Sequence, residues 1–259
     1  MSRVLITLFC LLLVSIAAIV ALFAATRSLL PPEILESFEG AQINSSIWLM
    51  DADAGCEIKI SDHVSSGSNK VLAISAPTDA RCEMVSWPST HWLQWLQREP
   101  WGMPRSYQFR VFLPTDYEIP KSTDNEIVAQ WHGSRDVWFG EKGGQGPPLA
   151  LRISQDRWFI TYGFDDAWVS ERKVLASHRL WMGKIKLGEW STWQFDVNWA
   201  TDMTGHLAVY LNDILIAERT GPIGYRDVRG PYLKLGLYHP RVAHTIFLDD
   251  IAVTNIKGP

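Results

Sequence analysis

An all-β antiparallel sandwich, preceded by one apolar N-terminal helix, is the fold this sequence predicts. Three observations point there. From Phe38 onward the chain reads as short β-type runs broken by turn residues, many alternating in polarity. After the N-terminus the best helix candidate is Thr90–Gln97, and it is short. Tryptophan is abundant, 13 of 259 residues, which suits sheet cores and faces that stack on sugars; core filling accounts for most of it. At this length one large sandwich suffices. With 47% apolar and 20% charged residues the chain is globular rather than disordered. A net charge of −4 argues against a nucleic-acid binder, whose contact face is strongly basic. Three cysteines are too few for a Cys-only zinc site or a disulfide-dense scaffold.

The elements follow in order. Val4 to Ala25 is an uncharged apolar run bounded by Arg3 and Arg27, long enough to span a bilayer as a helix. It reads as a membrane anchor or a long signal peptide, and either exports the rest of the chain to the periplasm or the outside. Residues 1–27 are that segment, 28–35 a linker with Pro31 and Pro32, and 36–259 one β-domain. Cys10 falls in the apolar run, leaving Cys56 and Cys82 as the exported pair. In an oxidising compartment they are expected to bond; the alternative is two free buried thiols. Strand-like runs are Val71–Ser75, Tyr107–Leu113, Ile127–Trp131, Leu149–Ile153, Arg157–Tyr162, Trp193–Asn198, His206–Leu211, Tyr232–Tyr238 and Thr245–Val253. Asn212-Asp213 sits between two apolar runs as a hairpin turn. The second half of the domain is the more basic, as a solvated face or as a groove for an anion.

Three segments carry chemical groups on one strand face. In Gln130-Trp131-His132 the amide and the imidazole share a face while Trp131 points the other way. A lone pattern of this kind is usually just a polar sheet face. In Tyr232-Leu233-Lys234-Leu235-Gly236-Leu237-Tyr238 the three leucines must be core. The other face carries two phenols and an ammonium around Gly236, which lets a ligand or another backbone approach. In Arg81-Cys82-Glu83, Arg81 and Glu83 share a face, as a surface ion pair or as a guanidinium held by its carboxylate to grip an anion.

These residues reach a family. Gln130-Trp131-His132 resembles the Q-[IV]-H motif of alginate lyases with a jelly-roll fold. Tyr232 to Tyr238 resembles their Y-F-K-x-G-x-Y motif, and Arg81-Cys82-Glu83 the start of R-x-E-[LV]-R. Lys234 and Tyr238 also resemble a pair in the jelly-roll heparin lyases. The wider context, including Tyr107–Pro114 and Phe247-Leu248-Asp249-Asp250-Ile251, looks most like the glucuronan-lyase-like polysaccharide lyases. The resemblance spans about residues 36–256 with the motifs in family order. Val85 stands where the alginate motif has its second Arg, Trp131 replaces an aliphatic residue, and His239-Pro240 replaces a polar pair.

The resemblance implies β-elimination on a 1,4-linked polyuronate such as glucuronan or alginate, on the concave sheet of a jelly roll. The residue chemistry fits. The C5 proton of a uronate becomes acidic only if its carboxylate is neutralised, for which Arg81 and Gln130 have the right groups. His132 and Tyr238 are the candidate base and acid. Cations beside Tyr238, Lys234 and Arg81, would favour a transient phenolate. If the C5 proton and O4 lie on one side of the ring, Tyr238 serves both transfers and His132 helps neutralise the carboxylate. No metal or other cofactor is required. Glu83, Trp138, Arg152, Tyr232 and His239 are candidate substrate-binding residues, Arg152 being as readily part of a solvated face. Gly140 to Pro148, with Trp138 and Phe139, is a lid or an ordinary surface loop.

A carbohydrate-binding sandwich without activity is the competing function. A jelly-roll hydrolase is a third; it needs paired carboxylates, and adjacent Asp249 and Asp250 point to opposite faces of an ideal strand. The expected partner is an anionic polysaccharide, not nucleic acid, with the membrane as a further contact if the helix is uncleaved.

Overall fold

The computed structural model describes residues 3–27, 31–62, 70–86, 99–119, 125–142, 146–170, 178–228 and 230–256. In chain order the elements are helix α1 (Arg3–Arg27), β1 (Ile34–Glu36), β2 (Trp48–Ala52), β3 (Glu57–Asp62), β4 (Lys70–Ala76) and β5 (Arg81–Ser86). There follow β6 (Arg105–Phe112), β7 (Glu126–His132), β8 (Leu149–Ser154), β9 (Arg157–Tyr162), β10 (Phe164–Asp165) and β11 (His178–Lys184). The chain continues with β12 (Trp190–Asn198), β13 (His206–Leu211), β14 (Ile214–Thr220), β15 (Gly224–Tyr225), β16 (Tyr232–Tyr238) and β17 (His244–Asn255).

Two antiparallel sheets face each other as a jelly-roll sandwich. The backing sheet runs β14-β13-β12-β6-β17-β4-β3, with β1 beside β17. The second runs β11-β9-β8-β7-β16-β5-β2 and carries the candidate site. A short parallel pair, β10 with β15, lies outside both. Alternation decides which residues meet between the sheets. Trp193, Phe195 and Val197 of β12 are fully buried, while Gln194, Asp196 and Asn198 are not. Trp131 is fully buried against Tyr107, Phe195 and Trp199, with ring centroids 4.8 to 6.4 Å apart. Leu233, Leu235 and Leu237 join that core, so the polar side of β16 faces away from it.

Asn212 and Asp213 both have positive φ, 50° and 64°, the backbone of a tight hairpin turn between β13 and β14. Cys56 and Cys82 form a disulfide, bracing β5 from the core side. The expected linker is partly structured. Buried Arg105 donates to the Pro31 and Pro32 carbonyls, and Ile34–Glu36 pairs with β17. The side chains of residues 8–21 of α1 are described and exposed. Among the described residues no helix is long and apolar enough to cross a membrane. The Thr90–Gln97 helix falls outside the described residues, as does part of the Gly140–Pro148 loop.

Candidate functional site

Three neighbouring strands of the second sheet, β5, β16 and β7, bring the sequence-selected residues together. Register places Tyr238 opposite Arg81 on one side and Ile127 on the other. Lys234 lies opposite Gln130, and Tyr232 opposite His132. At Gly236, β16 comes close to β5. A Cβ there would sit 2.2 Å from the Cys82 carbonyl oxygen, and φ is +145°, so no other residue fits. The close approach expected of this glycine is therefore that of a neighbouring strand.

A carboxylate missing from the sequence reading sits at the centre. Asp51 of edge strand β2 accepts from Lys234 Nζ at 2.7 Å and lies 3.5 Å from Arg81 Nη1. Glu83, 1% exposed, lies 3.6 Å from both the Arg81 and Lys234 nitrogens and accepts a bond from the Gln130 amide. Two cations thus share two carboxylates. Burial raises the Asp51 carboxyl, but Lys234 and then Arg81 outweigh it and hold it below its usual range. Deeper burial wins at Glu83 and pushes its carboxyl up despite Lys234, Gln130 and Arg81. At Arg81 burial acts downward, but the bond to Tyr238 and the charges of Asp51 and Glu83 raise the guanidinium further.

Gln130 and Lys234, at 3% and 4% exposure, form the floor. One Gln130 amide N–H goes to Glu83, leaving the second. Arg81, Asp51, His132, Tyr232 and Tyr238 are half-buried and form the accessible layer. The cation on Tyr238 is Arg81, its guanidinium carbon 4.7 Å from the ring centroid. Lys234, expected beside Tyr238, lies instead over the Tyr232 ring, 5.8 Å from its centroid. The His132 ring is 5.4 Å from that of Tyr232, and its Nδ1 donates to the Gly133 carbonyl at 2.8 Å. That bond leaves Nε2 as the proton-accepting nitrogen of the neutral ring.

The remaining candidates lie at the flanks. Arg152 of β8 is opposite Ile127 and on the Tyr238 face. His239 packs its ring edge against Tyr238, centroids 4.1 Å apart, and its Nδ1 donates to the Asp79 carbonyl. Together with Asp79, Asn125 and Arg241 these residues line an open cleft of about 540 Å³ beside Tyr238. The Trp138 side chain lies outside the described residues; neighbouring Phe139 is 59% exposed. At the His132 end a buried group of carboxylates, Asp136, Glu141 and Asp227, accepts backbone N–H groups of Ser134, Asp136, Ser170 and Val228. These bonds staple the chain after β7 to that after β15. Burial, with Glu141 and Asp136 nearby, raises Asp227 to about 8.

Asp249 and Asp250 are in the backing sheet, away from these groups. They do not diverge as an ideal strand would dictate: a bulge with φ +48° at Asp250 lets both approach Arg110, at 4.0 and 2.9 Å. Burial raises Asp249 to about 6.

The polysaccharide lyase family matches residues 65–252, which include β5, β7 and β16. The chain belongs to that family. Among solved structures, this lyase is similar to an endo-β-1,4-glucuronan lyase from the fungus Trichoderma reesei. The two share 14% identity and a TM-score of 0.65, over 86% of this chain and 95% of the other. It is also similar to the alginate lyase AlyC3, at 13% identity and a TM-score of 0.53, over 87% and 90% of the two chains. No curated protein matches the sequence. At these identities the structural likeness establishes the jelly-roll fold, and the family match establishes the lyase class.

Proposed function

We propose that this polysaccharide lyase cleaves a 1,4-linked polyuronate of the glucuronan or alginate type by β-elimination, outside the cytoplasm. The observation that carries the reading is a phenol, Tyr238, against a guanidinium, Arg81, on a floor of Lys234, Gln130 and Glu83. In the reaction a base takes the C5 proton, the C5 electron pair becomes the C4–C5 double bond, and the C4–O4 bond breaks as O4 gains a proton. Arg81 neutralises the uronate carboxylate so that charge can build at C5, and His132, at the Tyr232 end of β16, contacts a neighbouring sugar. Tyr238 stands at the proton-transfer position, its hydroxyl oriented by Arg81. Lys234 and Glu83 act beneath as positioning residues: a buried ion network fixes its members through several strands at once. The similar proteins named above act on glucuronan and alginate, which supports a uronate-containing substrate.

The test is ultraviolet absorbance of the unsaturated uronate on a panel of glucuronan, alginate, pectate and glycosaminoglycans. Elimination creates that chromophore and hydrolysis does not. Binding without any unsaturated product would instead support the carbohydrate-binding reading.

A further inference from the structure

We infer that Arg152 forms a second carboxylate-recognition site, which reads a uronate on the same polysaccharide chain other than the one undergoing elimination. The inference deepens the polyuronate reading and rests on it. It assigns a substrate class: polymers in which uronates recur at short intervals, rather than chains carrying isolated ones.

Among the groove cations Arg81, Lys234, Arg241 and Arg152, charge balance sets Arg152 apart. Arg81 and Lys234 are already matched by Asp51 and Glu83. Arg241, across the same cleft, is matched by Asp79 at 2.8 Å. Arg152 has no carboxylate within ion-pair distance among the described residues. Its guanidinium is held by two neutral acceptors instead: Nε donates to Thr161 Oγ1 at 3.0 Å and Nη1 to Asn125 Oδ1 at 2.6 Å. Those bonds aim the planar group while leaving its charge unpaired. Burial lowers its pKa to about 10, only partly offset by the Tyr225 and Tyr238 phenols. A desolvated cation of this kind gains most from an anion that arrives with the ligand, and a guanidinium suits a carboxylate bidentately.

Position makes that anion a part of the substrate. Arg152 shares the Tyr238 face of the sheet and lines the open cleft beside that phenol. It is three strands from β5, which carries Arg81, so those two backbones are ~14 Å apart, and its bond to Thr161 on β9 holds the guanidinium on the side away from β16. A carboxylate gripped by Arg152 is therefore a different one from that neutralised by Arg81. It belongs to another sugar of the same chain.

The test is calorimetric binding of oligouronates to the full protein carrying Tyr238→Phe, which does not turn the ligand over and serves as the wild type at position 152, compared with the same oligosaccharides carboxyl-reduced at single non-reacting positions. Reduction at one position should weaken binding to the wild type by about 10–100-fold, the scale of a charge-assisted bidentate contact. In Arg152→Gln that discrimination should collapse to within about threefold, while Arg152→Lys, which keeps the charge and loses the fork, should retain part of it. A wild type that binds every reduced oligosaccharide equally would overturn the inference, whether or not the variants fold. So would an Arg152→Gln protein that folds and keeps the discrimination. Because binding is read without turnover, absence of unsaturated product would count against the elimination chemistry alone, and loss of discrimination against Arg152 alone.

Discussion

Replacing Tyr238 by Phe removes one hydroxyl and little else. The ring remains under the Arg81 guanidinium, 4.7 Å from its centroid, and the leucines on the other face of β16 stay in the core. What is lost is the side-chain bond between the hydroxyl and Arg81. Such a bond at a half-buried site is worth about 0.5–1.5 kcal/mol of stability. Removal of a positioned acid–base group lowers turnover by about 10²–10⁴-fold, equivalent to ~3–5.5 kcal/mol of barrier. The barrier term exceeds the stability term several-fold, so a folded protein with little turnover is expected. Tyr232→Phe is the control. Tyr232 lies six residues along the same strand, roughly 20 Å at 3.3 Å each, and faces His132 and Lys234. One glycosidic oxygen cannot be reached from both phenols, so Tyr232→Phe should cost far less. Initial rates from the unsaturated product, with thermal unfolding of both variants, provide the measurement. Near-normal turnover in Tyr238→Phe would refute the assignment, and equal losses in the two variants would make the phenols sugar contacts.

Asp51→Asn should tighten binding of anionic oligosaccharides by about 3–10-fold at low salt, since Arg81 and Lys234 lose a competing carboxylate. Weaker binding would show that Asp51 serves mainly to position them. Asp227 holds a proton up to about pH 8 in the fold against an ordinary carboxyl value of 3.8, so the native state binds the extra proton between those limits. Stability therefore falls as pH rises from about 4 to 8, by at most ~6 kcal/mol. Asp227→Asn keeps an acceptor for Ser134 N–H and should flatten that slope in thermal melts at pH 5 and 8; an unchanged slope would contradict the assignment. Cys56→Ser with Cys82→Ser opens a loop with a sequence separation of 26 and should cost on the order of 3 kcal/mol. Denaturant midpoints that do not move would mean that the bond stabilises nothing.

The compact apolar runs were legible in the sequence. Arg157–Tyr162, His206–Leu211 and Tyr232–Tyr238 carry the expected limits, because short apolar runs buried through their interiors and ended by turn residues mark both type and ends. β2, β3 and β11 were not anticipated, and exposure explains it: each has few buried positions and so little apolar pattern. That blindness hid Asp51, the carboxylate joining Arg81 to Lys234, since it stands on β2 in a stretch ending Asp-Ala-Asp-Ala. Strand periodicity also placed Lys234 with Tyr238, whereas six residues of a β16 kinked at Gly236 divide the site into two ends. Pairing across strands, rather than spacing along one, decides which groups meet.

The two ends of β16 present different chemistry. At the Tyr238 end Arg81 is adjacent and Arg152 lies two strands away with its charge unmatched, so an entering anion meets positive potential there. At the Tyr232 end His132 stands beside the carboxylates of Asp136, Glu141 and Asp227, whose backbone bonds hold the chain after β7. Between them Lys234, Glu83 and Gln130 are too buried to change partners cheaply, since each would leave another charge or amide unsatisfied. In the proposed reaction the floor keeps its geometry while the half-exposed layer above it exchanges Asp51 contacts for substrate contacts. On that proposal the reacting bond lies toward Tyr238, and the flank of the groove beyond it, toward Arg152, meets the charge of the polymer.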